Sequence, residues 1–347
     1  MRKPVVQVIG EQGSDLVPGW GSALMSVSYT DNEGGEADEL ELQFSVSMPF
    51  QAPPSKGQKY RLLYGWAASS LKDAGIFTFQ SASLTFDAES GWTMLVVARS
   101  ADFVDADKAA DAEHFEETTA GEIFRKLASG VGKSASIHPS IAGIEIPYRL
   151  RMQQSAVGFA QQLADDLGGT LKLANGQWLI TAKNSGETAG GSTISPIVIS
   201  VAEIISCDLT TEGRPEFGEI QSSWFDAEKG LSFLEGVPGL GQVAKFLALH
   251  PAPSAGEAKQ RSKAEALDMA RATISGSVTI EGRSEAMAGA PITLSGFGGW
   301  SGFDLVAPVI THTFSFDESG GWLMTPEISA KTETRSRMPG TSPRRRA

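Results

Sequence analysis

Apolar and polar residues alternate along the first hundred residues. In the segment 39–46, Leu40, Leu42, Phe44 and Val46 occupy every second position and polar residues fill the others. A period of two is that of a β-strand with one buried face. Similar strands are predicted at 60–64, 76–81 and 93–98, separated by turns that contain glycine. Residues 1–104 are therefore predicted to form an all-β module.

The hydrophobic period changes at about residue 105. Thr119 and Glu122 have capping-box spacing and precede apolar residues at helical spacing, and a second helix is predicted from Ser155. Asn175-Gly176 lies between two apolar segments and is typical of a tight hairpin turn. Residues 105–185 are therefore predicted to be a small α+β insert, closed by a Gly-rich linker.

β-type patterning returns at about residue 195. We predict a second β module over 195–330, with a loop and helix excursion at 228–273. Within that excursion, 230–241 is predicted to be loop-rich and 257–272 to be a polar helix. The last segment, 331–347, has five arginines among Ser, Pro and Gly and is predicted to be a flexible basic tail.

The two β regions resemble each other in sequence. Residues 86–94 match 316–324 around a shared Gly-Trp step. Upstream of these segments, Gly57 and Gly289 each precede a predicted strand at the same spacing. Chance similarity of two hairpins remains the alternative. If the duplication is real, three copies of the chain can form a ring with six similar positions, which matches a three-fold object to a six-fold one.

Composition narrows the function classes. The 347 residues carry a formal net charge of −12, which argues against a surface that neutralises nucleic-acid phosphates. The single cysteine, Cys207, excludes an intrachain disulfide and is predicted to be a small buried hydrophobe. No apolar run approaches the ~20 residues that span a bilayer, and the N-terminus resembles no signal peptide. We expect no membrane or specific nucleic-acid partner.

Several fragments imitate active-site motifs without their context. Residues 130–134 resemble a phosphate loop but end a predicted helix, where the helix dipole repels phosphate. Residues 239–244 fit a loose dinucleotide fingerprint without the βαβ unit it requires. The four histidines lack metal-ligand spacing, and His312 is predicted to be a strand residue that hydrogen-bonds locally. We therefore predict no catalytic residue, no metal and no cofactor.

One aromatic, glycine-rich segment is a candidate binding surface. Phe297, Trp300 and Phe303 lie within residues 296–303, among four glycines. One interpretation is a hairpin tip whose rings pack on the β module. The other places the three rings at an interface with another subunit or a partner protein, where aromatic side chains contribute much of the binding energy.

The order and spacing of these pieces resemble a known family. The resemblance is based on these segments: the acidic-apolar strand at 38–42, the strand from 75 to the segment ending at 103, the helices of the insert, the Ala-rich helix and the stretch 288–312. Together they resemble the phage late control D proteins, which are the baseplate hub proteins of contractile tails. They are also similar to the hub part of type VI secretion spike proteins. The loop 228–253 departs from that pattern, as does the absence of a spike β-helix after 330.

The resemblance implies a mainly β chain with an α+β insert, in which two tail-tube-like β-barrels per chain form a pseudo-hexameric ring as a homotrimer. It implies a structural protein that joins the hexameric tail tube, or a tube-initiator protein, to a separate trimeric spike protein. The tape measure protein and the baseplate wedge are further partners to test. The implied location is the tail baseplate of the virion, assembled in the host cytoplasm. A tail-tip lytic enzyme (a cell-wall hydrolase) and a receptor-binding adhesin remain the alternatives.

Overall fold

The computed structural model describes residues 2–89, 91–100, 111–211, 217–226, 229–239, 244–271, 273–316 and 320–331, without the side chains of 270 and 271. Outside these residues lie the predicted basic tail beyond 331, part of the dinucleotide-like segment, residues 317–319 and the predicted boundary at 104. Within them the chain is mainly β, with few helices.

The first β region is a set of six strands and one short helix. Its elements are β1 (Pro4–Ile9), α1 (Val17–Trp20), β2 (Leu24–Asn32), β3 (Glu39–Ser45), β4 (Lys59–Trp66), β5 (Lys72–Asp87) and β6 (Gly91–Arg99). Hydrogen-bonded neighbours follow the order β1-β4-β5-β6-β3-β2, and all of these pairs are antiparallel. The alternation seen at 39–46 matches β3, whose even-numbered residues are buried.

The insert combines two small sheets with three helices. Its elements are β7 (Asp111–Thr119), α2 (Ala120–Gly130), β8 (Ser134–Ile137), α3 (Pro139–Ala142), β9 (Glu145–Gln154), α4 (Ala156–Asp166), β10 (Gly169–Ala174) and β11 (Gln177–Ala182). The predicted capping box is confirmed at Thr119 and Glu122, and the hairpin turn has positive φ at both Asn175 and Gly176. The insert has its own core, which includes the fully buried Phe124 and Trp178.

The remainder of the chain contains a second β region and an excursion. The elements are β12 (Ile197–Ser200), β13 (Ser206–Thr211), β14 (Phe217–Asp226), β15 (Leu231–Pro238), β16 (Ala244–Leu247), α5 (Ala255–Arg271), β17 (Ile274–Glu281), β18 (Ala290–Ser295), β19 (Leu305–Ala307), β20 (Val309–Ser315) and β21 (Trp322–Ala330). The second β region consists of β12, β13 and β17–β21.

The excursion is more regular than the sequence indicates. β14 pairs with β15 and β16 in a separate three-stranded sheet, and α5 packs against β14 and β15. The prediction of a loop-rich stretch at 230–241 is therefore wrong, because Leu231–Pro238 is a strand. Gly236 and Pro238 weaken the strand signal, but the β14 backbone supplies the pairing that the local sequence does not reveal.

A single 13-stranded sheet joins the two β regions. The joint is the antiparallel pair β2–β20, which runs from Ser26 opposite Ser315 to Asn32 opposite Val309. The two regions therefore share one continuous backbone ladder.

Five adjacent strands of the first region have counterparts in the same order in the second, whereas the outermost strands differ, since β1 is antiparallel to β4 and β12 is parallel to β18. In the first, β4, β5, β6, β3 and β2 follow one another across the sheet. In the second, the corresponding order is β18, then β19 and β20 in succession, then β21, β17 and β13. The long β5 thus corresponds to two strands that Pro308 separates, at the position where Gln80 forms a bulge in β5.

Candidate assembly interface

The seam between the two β regions is buried on one face. Val27 lies opposite Phe314 and Tyr29 lies opposite His312, and all four side chains are buried. On the other face, the hydroxyls of Thr30 and Thr311 are 3.3 Å apart. Cross-strand pairs of this kind stabilise a sheet, so the seam holds the two regions together through both backbone and side chains.

An aromatic cluster surrounds the seam. Trp322 contacts His312, Phe314 and Tyr64, with ring centroids 5.6, 5.0 and 5.6 Å away respectively. The indole Nε1–H of Trp322 donates to Nδ1 of His312 at 3.2 Å. Burial lowers the pKa of His312 to about 4, so its imidazole is neutral at pH 7. His312 is a strand residue, as predicted, and its side-chain hydrogen bond is to Trp322 on the neighbouring strand β21.

A buried charge cluster connects the insert to both β regions. Nζ of Lys172, on β10, is 2.5 Å from Oδ1 of Asp31 and 2.9 Å from Oδ1 of Asp38, and it donates to the Asn32 carbonyl. The other carboxylate oxygen of Asp31 accepts the backbone N–H of Ala288 at 2.9 Å. One lysine from the insert therefore meets two carboxylates from the first β region, and one of these reaches the second.

The pKa values in this cluster follow from burial and charge. Burial raises the pKa of Asp38 to about 6, with the nearby Asp31 adding to the effect and Lys172 opposing it. Burial alone would also raise the pKa of Asp31, but Lys172 and the Ala288 N–H together bring that pKa below its ordinary value. Burial alone would depress the pKa of Lys172, and the two carboxylates instead raise it. The cluster is a structural ion network of the kind whose members depend strongly on one another.

The predicted aromatic segment, 296–303, lies at the margin of the hydrophobic core of the second β region. Gly298–Gly302 is a 3₁₀-helix between β18 and β19. Phe297 and Phe303 pack against the core of the second β region, and the Trp300 and Phe303 rings are 6.1 Å apart. All three side chains are half-buried. The structure brings Trp300 and Phe303 into contact and leaves part of each ring available to a partner.

Two strand edges carry exposed apolar side chains. Along β5, residues after Gln80 have β6 on one side, and Leu84 and Phe86 are 47% and 61% exposed. Strand β13 pairs with β17, and its Cys207 is exposed. The prediction that Cys207 is buried is therefore wrong, because the apolar stretch before it lies at a sheet edge.

Other exposed apolar residues lie on the insert and the excursion. On β9 these are Tyr148, Leu150 and Met152, which alternate on one face of the two-stranded β7–β9 sheet. On the excursion, Leu231, Leu234, Leu247 and Leu249 are exposed. Exposed apolar surface of this extent is typical of proteins that function in assemblies.

The fragments that resemble active-site motifs, and the histidines, can be placed in the part of the chain that the structure describes. Within those ranges there is no group of three His, Cys, Asp or Glu side chains that could hold a metal ion. Residue Gly130 of the phosphate-loop-like segment is the last residue of α2, as predicted. His138 bonds Glu187 at 2.8 Å and thereby ties the linker to the insert. Among the described residues, no helix is long and apolar enough to cross a membrane.

The sequence did not indicate the Lys172 cluster or the open β5 edge. Asp31 resembles a turn residue, because Asn32 and Gly34 follow it, yet Asp31 lies within β2, one residue before its end, and accepts bonds from two other parts of the chain. The signal available for β5 was the run Leu84, Thr85, Phe86, whose alternation predicts one apolar face without saying what covers it.

Comparison with known proteins identifies relatives from phage tails. The chain is 30% identical over 210 residues to a probable baseplate hub protein of Escherichia phage P2, covering 60% of this chain and 54% of that protein. It is 28% identical over 186 residues to a probable baseplate hub protein of Escherichia phage 186, covering 54% and 47% respectively. The chain thus spans about half the length of the curated relatives it matches. No protein-family model matches it.

Solved structures with the same fold extend over nearly the whole chain. A 43 kDa tail protein of prophage MuSo2 from Shewanella oneidensis has a TM-score of 0.69 at 13% identity, covering 95% of this chain and 99% of that one. An E. coli component of the type VI secretion system has a TM-score of 0.51 at 10% identity, covering 90% and 76%. These likenesses establish the fold, and the predicted resemblance to phage hub proteins and to a type VI secretion protein is confirmed.

Proposed function

We propose that this chain is a structural hub of a contractile, phage-like tail, located in the tail baseplate, and that it joins the tail tube to a separate central spike. The observation that carries the proposal is the repeated strand order, with both copies fused into one sheet through β2 and β20. A chain with two similar modules in series offers two similar positions to a partner. Three such chains offer six, which suits a six-fold tube on one side and a three-fold spike on the other.

The relatives and the surface chemistry support a structural function. The relatives of known name are probable baseplate hub proteins, and the fold neighbours include phage tail proteins. Exposed apolar side chains such as Phe86 and Met152 lie on a sheet edge or an open sheet face, and large obligate contacts bury ~2,000 Å² or more per pair. We propose that binding energy is spread over such contacts and that the chain has no catalytic activity.

In this arrangement each chain contributes two tube-like β-barrel modules to a homotrimeric ring, and the insert decorates it. The tube or tube-initiator protein binds one face of the ring and the spike binds the other. We place the half-buried rings of Phe297, Trp300 and Phe303 at a subunit or spike contact. The tape measure protein and the baseplate wedge are additional candidate partners.

The test is the mass of the full-length protein in solution, alone and with its candidate spike. The proposal predicts a particle of three times the 36.7 kDa chain mass, and a complex with three chains of each protein. A protein that stays monomeric with and without the spike at micromolar concentration contradicts it. Clearing of a peptidoglycan suspension by the purified protein would instead support a lytic enzyme.

A further inference from the structure

We propose that β13 of one chain pairs antiparallel with the open edge of β5 in a second copy of the chain, in the register that sets Cys207 opposite Phe86. The inference deepens the proposed function and depends on it only for the number of copies in the ring. The pairing itself follows from the registers of the two β regions. It reproduces between chains the β2–β20 seam found within one chain.

The central strands of the two regions pair in the same way. In the first region, Phe44 on β3 lies opposite Met94 on β6. In the second, Ile280 on β17 lies opposite Met324 on β21. The outer ends agree as well, since Glu39 lies opposite Arg99 and Ser275 lies opposite Ser329. The β3–β6 pair and the β17–β21 pair therefore have the same register, in which Phe44 of the first region corresponds to Ile280 of the second.

The match extends to β2 and β13. Leu42 and Val278 are each two residues before the corresponding Phe44 and Ile280. Val27 lies opposite Leu42, and Cys207 lies opposite Val278. Cys207 therefore holds the place in the second region that Val27 holds in the first.

The same comparison matches β20 with the end of β5. Phe314 lies opposite Trp322 on β21, and Phe86 lies opposite Trp92 on β6. This register corrects the sequence alignment of 86–94 with 316–324, which equated Phe86 with Phe316. The strand pairing equates Phe86 with Phe314, because the second hairpin has two more residues between its Phe and Trp.

The seam then defines the contact between chains. Within one chain, Val27 lies opposite Phe314. Cys207 is the counterpart of Val27 and Phe86 is the counterpart of Phe314, so the equivalent contact between chains sets Cys207 opposite Phe86. The same register sets Leu209 opposite Leu84. Phe314, which the seam covers, is 1% exposed, whereas its counterpart Phe86 is 61% exposed. A second copy of the chain supplies the cover that Phe86 lacks.

The two edges are chemically suited to each other. Neither 82–87 nor 206–211 contains a proline, lysine or arginine, the residues that commonly prevent an edge strand from pairing. In the proposed register, Asp87 faces Ser206 and Asp208 faces Thr85, so no charges oppose each other. A shift by two residues would set Asp208 opposite Asp87, and like charges in direct opposition destabilise a sheet. The charges thus favour the proposed register over that alternative.

The contact is head-to-tail. Each chain offers β13 to one neighbour and β5 to another, so repetition produces a closed ring or an open filament according to the rotation at each step. Both exposed edges become paired in every copy of a closed ring, which removes two sites of unspecific strand addition.

The experiment is a disulfide trap in the full-length protein with the variant Phe86→Cys. Directly opposite residues of an antiparallel pair have Cα atoms ~4.5–5.5 Å apart, which is within the range that a disulfide spans. With oxidised glutathione as the electron acceptor, we expect bonds between the thiol introduced at position 86 of one chain and Cys207 of the next. A non-reducing gel should show covalent dimers and trimers, and the addition of Cys207→Ser should abolish them.

The matched control is Thr85→Cys. Its side chain points to the opposite face of the strand, away from Cys207, and should crosslink at least tenfold more slowly. A second pair, Leu84→Cys with Leu209→Cys in a Cys207→Ser background, tests the same register two residues along. Equal crosslinking of the Thr85→Cys and Phe86→Cys variants, or none in either designed pair, overturns the inference.

The outcomes separate this inference from the proposed hub. A particle of three chains that forms no disulfide in either designed pair rejects the strand pairing and leaves the trimeric hub intact. If the designed disulfides form in a ring that does not contain three chains, the strand pairing is supported and the trimer is rejected.

Discussion

The rings of Tyr29 and His312 stack at 5.9 Å between centroids, with 7° between their planes, although one belongs to the first β region and the other to the second. Both residues are buried, and they lie opposite each other in the β2–β20 ladder. The seam therefore has the character of a protein interior rather than of a surface contact. We expect the two regions to unfold together and not as independent units.

The first prediction concerns His312 and acid. Because burial lowers its pKa to about 4, the folded imidazole stays unprotonated at pH values where the unfolded one, with a pKa of about 6.5, binds a proton. Stability from this group is complete above pH 6.5 and is lost as pH falls towards 4. Asp31 and Lys72 also face the imidazole, with opposite effects on its pKa. The loss is roughly 3 kcal/mol over that interval by proton linkage.

The measurement is urea unfolding at pH 7 and at pH 4.5 for the natural protein and for His312→Gln. The glutamine stays neutral, so the natural protein should lose more stability than the variant on acidification. Asp38 acts in the opposite direction, since its raised pKa favours the folded state as pH falls from about 6 to 4, but it is common to both proteins. Identical pH profiles would contradict the role assigned to His312.

The second prediction concerns Lys172. Lys172→Met leaves the carboxylates of Asp31 and Asp38 buried without their cation, and breaking a buried pair typically costs about 3–5 kcal/mol. The control is Lys245→Met, which removes an exposed, water-screened ion pair with Glu219 and should cost much less stability than Lys172→Met. Equal losses in chemical denaturation would show that the cluster does not hold the insert against the β regions.

The third prediction concerns Gly282, which follows β17. A Cβ at this position would collide with the indole of the buried Trp322. At Gly299, no atom of the described residues lies within 4 Å of such a Cβ. Gly282→Ala should lower the free energy of unfolding by about 1–3 kcal/mol, as overpacking of a core does. Gly299→Ala should change it by less than about 0.5 kcal/mol. A stable Gly282→Ala variant in the same denaturation experiment would contradict the close packing of Trp322 at the seam.

The fourth prediction concerns the start of α2. The hydroxyl of Thr119 accepts the N–H of Glu122, and the Glu122 carboxylate accepts the N–H of Thr119. Thr119→Ala should destabilise the protein by about 0.5–2 kcal/mol, whereas Thr119→Ser should retain most of the stability. Thermal unfolding of the two variants checks this, and an equal loss in both would rule out the cap as the cause.

Local signals in the sequence predicted much of the fold. The capping box at Thr119, the hairpin at Asn175 and the alternation along β3 each depend on neighbours within a few residues, and each is found in the structure. The polar helix at 257–272 is confirmed as α5 (Ala255–Arg271). Such elements are set by propensities and turn chemistry that a single stretch of chain contains.

Features that depend on distant partners were missed. Strand β15 depends on β14, and the apolar stretch before Cys207 resembled core because no local signal separates an edge strand from a central one. The Lys172 cluster joins residues more than a hundred positions apart, so no spacing rule could reveal it. The same limit applies to the open β5 edge. Its apolar face can be read from the sequence, but the sequence does not show that no described strand of the chain pairs with that edge.

The central claim is that the chain supplies two look-alike β modules that together give a ring six similar positions. A cryo-electron microscopy map of the purified full-length assembly tests it most directly. We expect three chains around one axis, six modules of alternating type, and a continuous ladder in which β13 of each chain meets β5 of the next. A map in which the two β regions of a chain occupy dissimilar places around the axis, or in which no ring forms, would contradict the claim.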